Sequence, residues 1–233
     1  MSDLPQISVI LPVYNGENYL AEAIESALGQ TCPQRELIVV DDGSSDHSAL
    51  IAQRYAGVYL LSQPHSGVSI ARNRGAEAAA GDFLAFLDAD DLWLLQKLCC
   101  QIAAFHANPE LDMVFGHVDE FYTSDVAVKG ISKIRHCNRG VPGYIPSTLM
   151  IRKNSFFKAG LFEPQWQIAQ FFDWYVRAQE KGLRSYLIPE VIAKRRLHGG
   201  NLGIRQHQEQ TEYVKIAKAL LDRRRKAGRN PSK

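Results

Sequence analysis

GDFLAFLDADDLW, residues 81–93, is the stretch on which the fold turns. Its apolar run, Phe83–Leu87, has the length and composition of a strand buried on both faces, as strands of parallel sheets are. The run stops at Asp88, Asp90 and Asp91, so carboxylates crowd at the carboxyl end of a strand. In open α/β sheets ligands bind at that edge, and neighbouring carboxylates repel one another unless a cation or a donor network compensates. A hard divalent ion is the simplest compensation. Mg²⁺ takes one or two protein carboxylates and fills its shell with water and substrate phosphate oxygens, so Asp88 and Asp90, flanking the small Ala89, suit a metal–diphosphate site. The alternative for the pair is a plain turn, and Asp91 is expected to cap the helix that follows.

Working outward, Ile7–Leu11 reads as a strand ended by Pro12, which lacks a ladder donor. Helical spacing of Tyr19, Leu20, Ala23, Ile24, Ala27 and Leu28 follows. Leu37–Val40 is a second strand that runs into DDGSSD, where turn and cap residues lead to a helix near Ser48–Tyr55. Val58–Leu61 is a third strand, and the alanine-rich helix Val68–Ala80 leads to the strand at 83–87. This alternation implies right-handed crossovers and a mainly parallel, Rossmann-like central sheet flanked by helices. Beyond it the pattern predicts a helix over Leu95–Ala107 and strands over Met113–Val118 and Ser147–Ile151. Helices over Phe156–Leu161 and Ala169–Lys181 follow, then two short strands, Tyr186–Ile188 and Val191–Ala193, either side of Pro189-Glu190. Tyr122–Gly143 breaks the pattern and reads as a long insertion or hairpin. Residues 206–226 form a basic amphipathic helix with Tyr213, Ile216, Ala217, Leu220 and Leu221 on one face.

At 233 residues, 45% hydrophobic and 22% charged, the chain suffices for one large domain with a full core. A net charge of +2 and a pI near 8.3 are too mild to indicate nucleic acid, although basic residues gather after Arg195. No apolar run has the length of a membrane span and MSDLPQ lacks signal-sequence features, so a cytoplasmic location is expected. The basic tail helix leaves peripheral contact with a membrane or a protein open. Its apolar stripe is narrow, which favours packing over membrane adsorption. Cys32, Cys99, Cys100 and Cys137 show no paired metal spacing, and no disulfide scaffold is expected.

Tyr14, just past the first strand, is either core or a stacking platform for a base. Asp42 ends the second strand, where a carboxylate accepts hydrogen bonds from a base or ribose; an Asx turn with Gly43 is the alternative, which Asp41 serves equally well. Loops after the first, second and fourth strands converge on one crevice. Taken in series, PVYNGENYLAEAIESALGQT, LIVVDDGSSD and GVSIARNRGAEAAAGDFLAFLDADD resemble, in order and spacing, the amino-terminal half of family 2 glycosyltransferases of the GT-A fold. The resemblance is strong over Ile7–Leu98 and looser over Ser147–Arg205, including RRLHGGN.

That resemblance implies an inverting transfer of a sugar from a nucleotide-sugar donor, with UDP the expected nucleotide and Mg²⁺ or Mn²⁺ at Asp88-Ala89-Asp90. The acceptor would be a saccharide, a lipid-linked group or a peptide. By position, Pro12, Tyr14 and Glu17 would line the base and ribose, and Asp42 would bind the base. Arg72 and Asn73 would face the donor. Asp88 would contact the ribose or sugar, Asp90 the metal, and His198 the diphosphate or the metal, so that Asp88, Asp90 and His198 form the expected metal set. Arg196 would offset diphosphate charge, as would Arg195, for which plain surface charge is the alternative. The single domain divides into a nucleotide-sugar-binding half (about 1–98), a smaller mixed acceptor-side half (about 99–205) and the basic helix (about 206–233).

Inversion requires a general base on the acceptor side, and here the chain departs from its relatives. They place a Glu-Asp pair before an arginine equivalent to Arg177; the matching positions are Gln170 and Phe171. The nearest acid is Asp173, rotated ~200° from Phe171 at ~3.6 residues per turn. It reads either as the base or as a helix cap and partner of Arg177, with Glu163 a further candidate. Two other functions stay open. The missing pair argues for a catalytically silent binding or scaffold protein. A nucleotidyltransferase would carry a basic, glycine-rich loop after the first strand, and PVYNGEN has no basic residue.

Overall fold

The computed structural model describes residues 5–32, 36–122, 139–198 and 209–228. Its first half alternates β1 (Ile7–Val13), α1 (Leu20–Leu28), β2 (Glu36–Asp41), α2 (Ser48–Gln53), β3 (Val58–Ser62), α3 (Val68–Ala78) and β4 (Phe83–Phe86). Then come β5 (Leu92–Trp93), α4 (Lys97–Ala107), β6 (Met113–Tyr122), β7 (Val141–Gly143), a 3-10 turn at Pro146–Thr148 and β8 (Met150–Arg152). α5 (Lys153–Ala159), α6 (Gln170–Glu180), β9 (Ser185–Leu197) and α7 (Glu209–Gly228) complete the described chain.

All nine strands join one sheet in the order β3-β2-β1-β4-β8-β6-β9-β5, with β7 on the side of β6. β3, β2, β1 and β4 run parallel, as the alternating pattern requires. Past β4 the sheet turns mixed: β8 is antiparallel to β4 and β6, β9 is parallel to β6, and β5 is antiparallel to β9. Alternate residues of the central strands feed two cores. Val9, Leu11, Leu37 and Val39 pack with Leu20, Ile24, Leu98 and Phe105 on one face. Ile10, Ile38, Val40 and Phe86 pack with Ala71, Ala76, Phe156 and Trp174 on the other. That double burial explains why these strands read as unbroken apolar runs. α3 lies unusually close, because a Cβ on Gly75 would come within 2.5 Å of Ile10 Cγ2.

Several expectations are corrected. β1 does not end at Pro12 but continues to Val13, with Pro12 buried opposite Val40. The two short strands around Pro189 are one strand, β9, whose register jumps from Phe115 against Leu187 to His117 against Val191. A bulge thus absorbs Ile188, Pro189 and Glu190, and the Ile188 carbonyl lies 2.9 Å from His117 Nδ1. Residues 123–138 of the expected insertion, Cys137 included, lie outside the described residues, as does Gly199-Gly200-Asn201 of RRLHGGN.

Leu92–Trp93, between Asp91 and the helix expected from Leu95, pairs with Ala193 and Lys194 of β9, and α4 begins only at Lys97. Asp91 is therefore not a helix cap. A further correction concerns the cysteines: Cys32, after α1, forms a disulfide with Cys99 of α4 across a separation of 67 residues, and Cys100 is free. Spacing along the chain gave no sign of this pair, because the bridge depends on the turn after α1 meeting the start of α4, where Gln30 Oε1 accepts Leu98 N–H.

Among the described residues no helix is long and apolar enough to cross a membrane. α7 seats on α6, with Tyr213 tilted against Phe172 at 5.3 Å, Ile216 buried, and Glu212 at the start of α6. The Glu212 carboxylate accepts the backbone N–H groups of Gln167, Ile168 and Ala169 at 3.2, 3.0 and 3.0 Å. Partial burial pushes its pKa up, but those N–H groups outweigh burial and hold it below the usual carboxylate range. Glu212→Ala should lower thermal stability by ~0.3–2 kcal/mol, the range for a carboxylate at a helix N-terminus, and Glu212→Gln should fall between. A melting curve for each variant checks this; an unchanged melting temperature for the alanine variant would refute the anchoring role.

Candidate active site

The carboxyl ends of β1, β2 and β4 point the same way, so the loops after them meet. Their meeting is enforced by side chains. Asn15 adopts φ 49°, a left-handed conformation that asparagine tolerates. Its N–H donates to Ser44 Oγ and its Oδ1 accepts from Ser45 N. Next to it, the N–H groups of Gly16 and Glu17 donate to Ser48 Oγ and Asp46 Oδ2. Gly16 also abuts the acidic motif, since a Cβ there would lie 2.8 Å from Val13 Cγ2 and 3.7 Å from Ala89 Cβ. Glu17 is exposed. Its carboxylate accepts the His47 N–H and lies 2.7 Å from His47 Nδ1, contacts that hold its pKa below the usual range.

Asp41 and Asp42 divide the roles between which sequence left a choice. Asp41 makes the turn, accepting Ser44 N–H at 3.1 Å. Asp42, 3% exposed in its side chain, faces the loop after β3. There it accepts Gln63 Nε2 at 2.7 Å and Ser66 N–H at 2.9 Å on Oδ1, and Gly67 N–H at 2.8 Å on Oδ2. His65 Nδ1 stands 2.9 Å from the same Oδ2. Tyr14 is half exposed at the crevice mouth, stacked on the His65 ring at 3.9 Å and 22°. Neither Gln63 nor His65 was singled out from sequence; QPHSG carries no periodic signal, and only its proximity to Asp42 gives it meaning.

The acidic motif is the centre. Asp88 and Asp90 are each a little over a quarter exposed in their side chains, whereas Asp91 is buried. Asp91 accepts Ser147 Oγ–H at 2.6 Å and Arg196 N–H at 3.0 Å, and Ser147 Oγ in turn accepts Asp88 N–H at 3.2 Å. Burial first, and then the charges of Asp90 and Asp88, push the Asp91 pKa well above the usual carboxylate range. Asp91 thus ties the motif to β9. As a result His198, one residue past β9, places Nε2 2.9 Å from Asp90 Oδ2.

Arg196 lies beneath this contact rather than over it. It is 4% exposed, donates to the Asp90 carbonyl and Glu22 Oε2, and sits between the Tyr19 and Phe121 rings. This placement makes it a support for the acidic loop. Arg195 pairs with Glu120 at 3.6 Å, the surface-charge alternative.

Arg72 is the other cation. It projects from α3, 4% exposed, with Nη2 2.6 Å from Asp88 Oδ1, while its buried Nε and Nη1 find no hydrogen-bond partner among the described residues. Asn73, beside it, makes a two-way amide pair with the backbone of Phe162 at 2.8 and 2.9 Å and so pins the loop before α6 onto α3.

On the acceptor side the expected base does not stand free. Asp173 is 6% exposed and accepts Arg177 Nε at 2.8 Å; Arg177 also donates to the carbonyls of Ala159 and Leu161. The pair fastens α6 to the turn after α5. Phe171, at a position where the resemblance implied an aspartate, joins an aromatic cluster with Phe115, Phe162 and Trp174. Gln170 is buried, and its Oε1, like Trp166 Nε1, has no hydrogen-bond partner among the described residues. Glu163 is exposed, and its carbonyl lies 3.4 Å from Ser69 Oγ of α3.

Two partly open carboxylates, with an imidazole behind one of them, suit a hard divalent cation. Among the described residues no three His, Cys, Asp or Glu side chains converge closely enough to hold an ion alone. The donor set therefore fits a cation shared with substrate phosphates, the usual arrangement for Mg²⁺.

A parallel half-sheet with these loops at its carboxyl edge, continued by a mixed half, is the GT-A architecture, and the chain belongs to Glycosyl transferase family 2, whose pattern matches residues 8–167. It is 29% identical to the uncharacterized glycosyltransferase YibD of Escherichia coli (strain K12) over 94% of its own length and 71% of that protein. With the uncharacterized glycosyltransferase RP339 of Rickettsia prowazekii (strain Madrid E) it shares 30% identity over 88% of its length and 69% of that protein. The crystal structure of S. aureus TarS 1-349 in complex with UDP-GlcNAc superposes with a TM-score of 0.73 at 20% identity, covering 92% of this chain and 65% of that one. That likeness supports the fold. The chain spans about two thirds of these proteins.

Proposed function

We propose that the protein transfers a sugar, with inversion, from a nucleoside diphosphate sugar to an acceptor hydroxyl, and that a divalent cation, Mg²⁺ or Mn²⁺, assists. The observation that carries this reading is Arg72: a buried guanidinium beside Asp88 at the strand mouth, whose Nε and Nη1, three N–H bonds together, are unpartnered among the described residues. Buried unpaired donors are costly, and a diphosphate or a sugar hydroxyl satisfies them with charge-assisted bonds. Uracil is the favoured base, in keeping with the UDP-GlcNAc complex of the similar TarS fold.

In this reading Tyr14 and Asp42 receive the base, and Arg72 and Asp88 hold the donor's diphosphate and sugar. Asp90, oriented by His198, would hold the cation, which when bound neutralises the developing charge of the departing nucleoside diphosphate. Asp91, Ser147 and Arg196 keep the loop in place. The proton of the acceptor hydroxyl falls to an acid outside the Glu-Asp positions, and Glu163, exposed on the loop pinned to α3, is the residue we favour. A cytoplasmic location fits a soluble nucleotide sugar, and the outward face of α7, with exposed Val214 and Leu221, is the part available to a membrane or protein partner.

A second reading has its own observation. Phe171, locked in an aromatic cluster, removes the usual base and favours a nucleotide-binding protein without turnover. Thermal shift with UDP-GlcNAc and other nucleotide sugars, with and without Mn²⁺, followed by donor hydrolysis, separates the two. At a hundred times its dissociation constant a bound ligand stabilises by ~2.7 kcal/mol. A Mn²⁺-dependent shift with release of UDP supports transfer; a shift without any release supports the silent protein; release of pyrophosphate from a nucleoside triphosphate would point to a nucleotidyltransferase instead.

A further inference from the structure

A carboxylate offers about four lone-pair sites; three of those of Asp42 take donors of its own chain, Gln63 Nε2, Ser66 N–H and Gly67 N–H, and the His65 imidazole covers the remaining one, with Nδ1 2.9 Å from Oδ2 and hydrogen-bonded to the Asp42 carbonyl at 3.2 Å. A nucleobase can hydrogen-bond Asp42 only if one of them leaves. The two backbone N–H groups are fixed where the loop enters α3, and the loop's backbone is jammed against the turn after β2, since a Cβ on Gly43 would lie 2.7 Å from His65 N. Gln63 is tied at its other end, its Oε1 accepting Arg74 Nη1 at 3.4 Å. The His65 imidazole is the one donor free to swing out: its side chain is 55% exposed, against 3% for Asp42.

The same imidazole covers Tyr14. At a ring separation of 3.9 Å and an angle of 22° the two rings are in direct stacking contact, so no second ring fits between them. A base stacked outside His65 would in turn be held away from the Asp42 carboxylate by the whole imidazole. Base and imidazole therefore exclude one another from the plane that reaches both Tyr14 and Asp42.

We propose that His65 is an exchangeable occupant of the nucleobase position: nucleotide binding swings its imidazole off Tyr14 and Asp42 Oδ2, and the base takes both contacts. The inference rests on the nucleotide-binding reading above and adds to it a competitor built into the chain. Apparent affinity is then the intrinsic affinity reduced by the fraction of molecules with His65 swung out. Bases that cannot both stack on Tyr14 and donate to Asp42 do not offset the displaced contacts, so the imidazole also sharpens base selection.

The experiment is calorimetric titration of the full chain with UDP and Mn²⁺, comparing wild type with His65→Ala. Removing the competitor should tighten UDP binding by about 3–70-fold, the affinity equivalent of one imidazole–carboxylate contact plus one aromatic pair. Inorganic pyrophosphate with Mn²⁺, which has no base, should bind both proteins equally. A second measurement needs no variant: in wild type labelled at histidine, the His65 Cε1–H resonance should leave the ring-current shift of Tyr14 on adding UDP and stay put on adding pyrophosphate. UDP binding that is unchanged or weakened by His65→Ala, or a His65 resonance that UDP does not move, overturns the inference while leaving nucleotide binding intact. Failure of UDP to bind either protein overturns both.

Discussion

Asp90→Asn should abolish metal-dependent binding of UDP while the fold survives. The side chain stands partly open at the end of β4, with His198 Nε2 2.9 Å from one oxygen. Its loss removes a charged oxygen from the cation while the backbone carbonyl that anchors Arg196 remains. Changing the outer partners of metal ligands typically costs 10–100-fold in metal affinity, so losing a ligand itself should exceed ~100-fold. Stability should move the other way, if at all, because the charge of Asp90 is one of the causes that push Asp91 up, and neutralising it relieves that repulsion. Titration of UDP with and without Mn²⁺, beside a melting curve, reads both signs. Unchanged Mn²⁺-dependent affinity would remove Asp90 from the cation site.

The next largest effect is structural. Asp173→Ala leaves Arg177 in a largely buried setting without its counter-charge, and breaking such a pair from one side costs ~3–5 kcal/mol. Two carbonyls still hold the guanidinium, which places the expectation near ~3 kcal/mol, a fall in melting temperature of roughly 6–12 °C for a chain of this size. Asp173→Asn keeps an acceptor and should lose ~1.5–3 kcal/mol, the value of a hydrogen bond to a charged group. Turnover per folded molecule should persist in both. A stable Asp173→Asn protein whose transfer falls by ~10²–10⁴, as on loss of a general base, would restore the catalytic reading of Asp173.

Much of the first half was legible because its signals are local. Strands buried on both faces leave unbroken apolar runs, helices leave their period, and Asp42, Asp88 and Asp90 stand where such runs stop. What escaped are contacts between loops distant in sequence. Leu92–Trp93 is too short for periodicity, and its strand character exists only because Ala193 and Lys194 lie alongside. Ser147, Gln63 and His65 act through hydrogen bonds of long sequence separation, which no window of residues displays. Arg196 was legible as a cation near the site, but its direction was not: the rings of Tyr19 and Phe121 and the Glu22 carboxylate turn it under the loop. For Asp173 the i, i+4 spacing to Arg177 already contained the partner that the fold selects.

The clasp between Asp91 and the backbone of Arg196 joins residues 105 apart. At a synthesis rate of ~5–20 residues per second, roughly 5–20 s pass between the emergence of the acidic loop and that of the strand that closes it. Until then Asp88, Asp90 and Asp91 repel one another without Arg196 beneath them, and the strands already made end in an unfilled edge at β6, where β9 pairs. Contacts of such high order slow folding. The nascent chain accordingly holds a sheet edge open to pairing with other chains until its last strand arrives, and the site becomes competent only when the sheet is whole.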